Sequence, residues 1–194
     1  MKSILTTLTL IATLGLGMGI AQSSTAEKDD GAIAMFKKSH EASGYFGRSA
    51  GYAVFPTIGK GGLGVGAAHG SGNVYAHGKR IGSVTMNQLS VGLQAGGKAY
   101  SEIIFFENKT TFDDFTDGNF EFGADIGAVA ITAGANASAS SAGGASAGAS
   151  ATMRDAAATG GYHHGIAVFT IAKGGLMYQA VVAGQKFSYS PRGK

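Results

Sequence analysis

The stretch Ala50-Gly51-Tyr52-Ala53-Val54-Phe55-Pro56-Thr57-Ile58-Gly59-Lys60-Gly61-Gly62-Leu63-Gly64-Val65-Gly66 constrains the fold more than any other part of the chain. Tyr52–Phe55 reads as a strand, Pro56 as an interruption, and the glycines from Gly59 to Gly62 as a passage into a second apolar run. Glycine at this density opposes a helix, because each one costs about 1 kcal/mol relative to alanine in a helix interior. Turns, bulges and tightly curved strands are what such a run can make. A shortened echo returns from Gly165 as Gly-Ile-Ala-Val-Phe-Thr-Ile-Ala-Lys-Gly-Gly-Leu. Both copies carry Ala-Val-Phe, then Ile, then Lys-Gly-Gly-Leu, so Lys60 and Lys173 stand at matching places before paired glycines. The repeat predicts two similar strand–turn–strand elements, Tyr52–Leu63 and Ile166–Leu176, able to pair with each other.

Composition narrows the class. A chain of 194 residues builds one domain with a real core and is short for two. Its 33 glycines follow no three-residue period and come with only two prolines, which excludes a collagen-like rod. Aromatic and β-branched residues are spread along the chain, against general disorder. The net charge of +3 is too small to imply nucleic acid. Without cysteine there is no disulfide, thiolate metal site, cysteine nucleophile or cysteine-linked lipid anchor.

Residues 1–26 read as a signal peptide. Lys2 supplies the positive start, Ile4–Ile20 the apolar run, and small-residue cleavage sites place the cut after Ala21 or Ala26. The rest, 27–194, is expected to be one domain, exported and periplasmic. Within it, Glu27–Ser43 reads as a short amphipathic helix with Ile33, Phe36 and His40 on one face and Lys37 and Lys38 on its flank. Asn73–Tyr75 and Arg80–Val84 read as hairpin strands about His77-Gly78-Lys79, followed by a separate strand at Leu89–Leu93. Ile103-Ile104-Phe105-Phe106, within Ser101–Phe106, predicts a buried central strand. Thr110–Gly118 predicts a helix capped by Thr111, with Asp113 and Asp114 in its first turn and Phe112 and Phe115 facing the core. Phe120–Thr132 resumes as strand. Residues 133–151, almost wholly Ala, Ser and Gly, read as a mobile loop or loose hairpin. Tyr162–Tyr189 closes the domain with two or three strands, one at Tyr178–Val182.

No catalytic constellation emerges. Gly59–Gly64 matches G-x-G-x-x-G, but the glycine-rich sequence after it cannot open the helix that a dinucleotide site needs. Gly92–Ala99 misses a P-loop because alanine stands where Ser or Thr must ligate magnesium. Ser146 lies in G-x-S-x-G with Asp155 and His163 following, but low-complexity flanks deny it the strand and helix of a nucleophile elbow. His163 and His164 are adjacent and point to opposite faces of a strand, so with His69 and His77 they make no metal site. Asp113, Asp114 and Asp117 lack the spacing of a calcium loop. No cofactor is implied. The candidate ligand contacts are basic: Lys37 and Lys38 on the helix, and Lys60, Lys79, Arg80, Lys98 and Lys173 beside glycines at turns and strand ends. Cations beside exposed amides suit phosphate or lipid headgroups.

Several ordered blocks resemble one family. Ala50–Pro56, Lys60–Gly66, Gly92–Gly96 with Glu102 downstream, and Lys173-Gly-Gly-Leu are similar to the SYLF (Ysc84-type) lipid-binding domain. Phe105-Phe106-Glu107 through Phe120–Ala124 resembles its bacterial exported branch. The resemblance implies a compact, glycine-rich, mostly β domain. In eukaryotic members it implies binding to phosphoinositides and, in some, to actin filaments. It supplies no catalytic residue, and for an exported chain it points to an anionic bacterial phospholipid. The expected fold is mainly β: a strongly curved antiparallel sheet or small barrel with an N-terminal helix and one short internal helix. The expected function is non-catalytic binding of phospholipid or the envelope surface. The alternative is a structural envelope protein that binds a protein partner through sheet edges or the Ala/Ser/Gly loop.

Overall fold

A computed structural model describes residues 17–95, 98–123, 126–131, 161–173, 182 and 184–193. Helices α1 (Gly17–Lys38) and α2 (His40–Ser43) lead into β1 (Gly51–Ala76), β2 (Lys79–Ala95) and β3 (Lys98–Phe106). Helix α3 (Lys109–Thr116), β4 (Asn119–Glu121), β5 (Ala128–Ile131), β6 (Ile166–Lys173) and β7 (Gln185–Pro191) follow. The described strands form one sheet, ordered β4-β7-β2-β1-β3-β6-β5. It is strongly curled and mainly β as expected, but it makes a half-barrel rather than a closed barrel. Every described pairing is antiparallel except β5 on β6, which is parallel.

Strand β1 sets the curl. Gly51–Lys60 pairs with β3, while Leu63–Ala76 pairs with β2. Pro56 does not interrupt it. The proline lies in the register shift between Phe55 and Ile58, where a missing N–H costs no ladder bond. Ser101 Oγ donates to the Pro56 carbonyl at 2.7 Å. The two halves of β1 then press against each other. A Cβ on Gly70 would stand 2.6 Å from Ile58 Cγ1, and one on Gly51 would stand 2.8 Å from the Tyr75 carbonyl oxygen. A Cβ on Gly72 would collide with the Val54 carbonyl oxygen and the Phe55 ring. Glycine here is what lets one stretch of backbone lie on another.

The repeat does not pair with itself, because β3 lies between its copies. Val54 is opposite Ile103, and Ile103 is opposite Phe169. Val54 and its sequence match Val168 are thus one step out of register and face opposite sides. Val54 packs with Ile103, Phe105 and Phe169 beneath Ala32, Ile33 and Phe36 of α1, and Tyr45. Val168 packs on the concave side with Phe55, Ile58, Ile104, Phe106, Phe187, and Phe112 and Phe115 of α3. Strand β3 is covered on both faces, which explains its unbroken apolar run: Ile103, Ile104, Phe105 and Phe106 are all fully buried.

Other expectations shift in detail. Helix α1 begins before Glu27 and stops at Lys38, and Ser39 caps α2 by accepting from the Ala42 N–H at 3.1 Å. Ile33 and Phe36 are buried, but His40, beyond the break, is exposed. The cap of α3 is Asn108, whose Oδ1 accepts from Thr111 N–H at 3.0 Å, not Thr111. No acidic residue occupies its first turn, and Asp113 pairs instead with Lys109. His77 and Gly78, at φ +49° and +74°, form the two-residue hairpin turn that the right-handed twist of the strands favours. Leu89–Leu93 is not separate; it continues β2. Phe120–Thr132 is split into β4 and β5. Residues 133–151 and, apart from Val182, the segment Tyr178–Val182 lie outside the described residues.

Gly72→Ala is expected to destabilise the fold by about 1–3 kcal/mol, the usual cost of overpacking. Gly59→Ala, where a Cβ meets nothing within 4 Å, should stay within about 0.5 kcal/mol of the parent. Urea unfolding of both variants checks the contrast.

Candidate functional site

The predicted cations fall into separate groups. Lys60 is the register partner of Lys98, and Ala99 is the partner of Lys173, so these three lysines share one end of the sheet. Lys173 Nζ donates to Thr57 Oγ1 at 2.7 Å. Lys79 and Arg80 follow the His77-Gly78 turn, opposite Ala76 and Tyr75. That turn lies at the other end, because Tyr75 packs over Gly51, the partner of Phe106. Lys37 and Lys38 close α1 and are exposed.

A chain of aromatic rings joins Lys37 to Arg80. Lys37 Nζ stands 5.3 Å from the centre of the Phe46 ring. Phe46 meets Tyr52 edge-on at 5.3 Å, and Tyr52 stacks on Tyr75 at 5.1 Å with the rings 9° from parallel. These three rings are half-buried. Beneath them, Asp29 of α1 is fully buried and accepts from Asn73 Nδ2 at 2.5 Å and Tyr75 OH at 2.8 Å. Burial raises the Asp29 carboxyl above its ordinary range, while Tyr75, Asn73 and the nearby Arg80 charge pull it back. This clamp ties α1 to the second half of β1. The same end carries Arg48, which the sequence reading passed over: its guanidinium lies 3.9 Å from the Tyr45 ring centre. The available signal was the run Tyr45-Phe46-Gly47-Arg48.

The concave face holds a second polar cluster. Gln185 on β7 donates from Nε2 to Glu102 Oε2 at 3.1 Å and to Tyr100 OH at 3.3 Å, although β2 and β1 lie between β7 and β3 in the sheet. Only strong curling closes that gap. Glu102 is fully buried, and burial pushes its carboxyl up to about 8, with the Gln185 hydrogen bond opposing. Its cross-strand partner is Thr170. Glu102 Oε1, Thr170 Oγ1 and Gln185 Oε1 have no hydrogen-bond partner.

The weak motifs stay apart. Gly59–Gly64 lies inside β1 with no helix after it. His69 Nδ1 sits 2.8 Å from Asn87 Oδ1, and the His163 and His164 rings meet edge-on at 4.4 Å. Among the described residues no three His, Cys, Asp or Glu side chains could hold a metal ion, and no helix is long and apolar enough to cross a membrane. Ser146 lies outside the described residues.

Comparison with known proteins places the chain. The family model Ysc84, described as "Las17-binding protein actin regulator", matches residues 87–186, just over half of the 194 residues. The chain belongs to the Ysc84 (SYLF) family. A curated relative, Beta cell expansion factor A of Aeromonas veronii, is 29% identical over 162 residues, 82% of this chain and 53% of the relative. The chain thus spans about half the length of that relative. Ysc84 domains are binding domains of a lipid- or actin-binding type. The matched Ysc84 segment contains Glu102, Thr170 and Gln185 of the concave cluster, whereas Lys37, Arg48, Lys79 and Arg80 precede it.

Glu102 gives the Ysc84 fold a pH dependence of definite sign. The folded state holds the proton up to about pH 8, while the unfolded chain releases it near 4.5. The stability it contributes is therefore full below the unfolded value and lost as pH rises through about 8. Melting temperature should fall from mildly acidic to alkaline pH, and Glu102→Gln should flatten that fall and be the more stable protein at the alkaline end. Asp29, shifted in the same direction, accounts for part of the remaining slope. Thermal melts across this range test both statements.

Proposed function

We propose that this Ysc84-family chain is a non-catalytic, peripheral binder of anionic phospholipid at an envelope surface, exported to the periplasm with cleavage after Ala21 or Ala26. One observation carries the reading. Lys37 stands over Phe46 and Arg80 is the cross-strand partner of Tyr75, with Lys38 and Lys79 next to them in the chain, at the end of the sheet where Phe46, Tyr52 and Tyr75 lie half-buried. Half-buried aromatic rings flanked by cations suit the boundary between headgroups and water, Phe46 offering an apolar face and Tyr52 a ring with a hydroxyl, while the Tyr75 hydroxyl is held by Asp29. Lys60, Lys98 and Lys173 at the opposite end are assigned a secondary contact. Export is compatible with the packing of α1: among its residues whose burial is described, 25–28 are exposed and Asp29 is the first buried one.

The family description favours a second reading, because it names a protein partner. Here that partner would be another envelope protein, held through sheet edges or the segment 133–151. The described edges are short, since β4 spans Asn119–Glu121 and β5 spans Ala128–Ile131, which limits strand addition.

Co-sedimentation with phosphatidylcholine vesicles, with and without phosphatidylglycerol, separates the two readings. The expected result is binding to the anionic vesicles only, lost at high salt and weakened at least about tenfold by Lys37→Glu with Lys38→Glu, given roughly 1 kcal/mol per cation near an anionic surface. Absence of binding to either vesicle sinks the lipid reading, and salt-insensitive capture of one envelope protein supports the second. N-terminal sequencing of protein recovered from the periplasm should begin after Ala21 or Ala26; protein retained in the cytoplasm with Met1 intact contradicts export.

A further inference from the structure

We infer that Arg48 is the residue that reads the phosphate of an anionic lipid headgroup, with Tyr45 and Tyr162 as its platform. The inference rests on the anionic-surface reading and adds the residue on which recognition turns.

Tyr45 and Phe46 are consecutive residues after α2, and each carries a cation from elsewhere: Arg48 over Tyr45, Lys37 over Phe46. The two cations differ in how firmly they are held. Tyr45 is buried, locked edge-on against Phe169 at 4.9 Å and Tyr162 at 5.1 Å and tilted against Phe105 at 5.4 Å. A guanidinium 3.9 Å from so rigid a ring, and 5.5 Å from Tyr162, has little freedom left to lose. Tyr162 OH shares a 2.7 Å hydrogen bond with Ser49 Oγ, and Ser49 Oγ donates to the Tyr45 carbonyl at 2.6 Å. Burial raises the Tyr162 phenol, while Ser49 and the charge and hydrogen bond of Arg48 oppose the rise.

Arg48 is nonetheless exposed. The described ion pairs are Lys109 with Asp113 and Lys186 with Glu121, so neither Arg48 nor Lys37 has a carboxylate partner among the described residues. Glu41 of α2 and Asp30 of α1, acidic residues on the neighbouring elements, are not within ion-pair distance of either. A planar donor fork, held against the Tyr45 ring and without a carboxylate partner among the described residues, is matched to a phosphate that accepts two parallel hydrogen bonds. Lys37, over the ring of the next residue, Phe46, supplies a second positive charge at this end, and the half-buried Phe46 and Tyr52 supply the apolar rim that a free anion does not need. That pairing of anion site and apolar rim selects a headgroup at a membrane surface over soluble phosphate.

The test uses the full chain, purified in the form in which cells accumulate it, on vesicles of phosphatidylcholine with phosphatidylglycerol. Arg48→Lys keeps the charge and removes the fork; it should weaken binding several-fold, about as much as Arg48→Ala. Tyr162→Phe keeps the ring and all charges but removes the hydroxyl beside the guanidinium, and should weaken binding to a smaller degree. Unchanged melting temperatures establish that these variants fold. If Arg48→Lys and Tyr162→Phe both bind as the parent does, the inference is overturned while the anionic-surface reading stands. If the parent itself fails to bind, the broader reading falls first. Displacement of the parent from vesicles by millimolar inorganic phosphate, at constant ionic strength, would assign Arg48 to a free anion and overturn the lipid assignment.

Discussion

The contact of β1 with itself is the constraint from which the rest follows. Gly51, Gly70 and Gly72 are the points where its two halves meet, and each lacks the Cβ that would strike backbone or a core side chain. Because the halves pass so closely, one strand serves β3 along its first part and β2 along its second. The sheet then curls far enough for Gln185 on β7 to reach Tyr100 and Glu102 on β3. Pro56 lies in a register shift of the β1–β3 ladder, a few residues before β1 passes from β3 to β2.

Curling separates two kinds of polar chemistry. On the concave side, Glu102, Thr170 and Gln185 are buried on the face that carries the phenylalanine-rich core, and Glu102 Oε1, Thr170 Oγ1 and Gln185 Oε1 have no hydrogen-bond partner among the described residues. Buried polar groups of this kind cost stability unless satisfied and define which strands must meet. On the convex side, α1 is held by a buried carboxylate and a few apolar residues, and the rings from Phe46 to Tyr75 continue outward from that anchor. Interior polarity thus belongs to the fold, and the aromatic end with its cations is the surface we propose for contact.

Much of this was readable along the chain because the signals are local. The His77-Gly78 turn, the doubly covered Ile103–Phe106 run and the Phe112/Phe115 face of α3 each depend on a few neighbouring residues. The misreadings were of another kind. Val54 and Val168 match in sequence yet face opposite sides, since register is set by β3 between them and a single step reverses every side chain. Asn108 outcompeted Thr111 as the α3 cap by standing one residue before the helix rather than inside it. Of the seven candidate cations, Lys98 and Lys173 stand at strand ends and Lys60 lies inside β1 as their register neighbour, and the length of β3 and of the second half of β1 divides these three from Lys79 and Arg80. Arg48 escaped notice because its distinction is the buried tyrosine beneath it, which no spacing announces.

A glycine-rich, mainly β domain with one doubly buried strand, a family membership and the absence of any cysteine chemistry are all written in the order of the residues. Those properties follow from composition, short-range pattern and ordered motifs, all of which act over a few residues. The half-barrel, the splitting of the repeat around β3 and the burial of Glu102 beside Gln185 emerge only when the chain is folded. So does the grouping of the cations. The physical reason is that these depend on contacts between residues distant in sequence, such as Asp29 with Asn73 or Glu102 with Gln185, and strand register and curl alone bring such residues within reach.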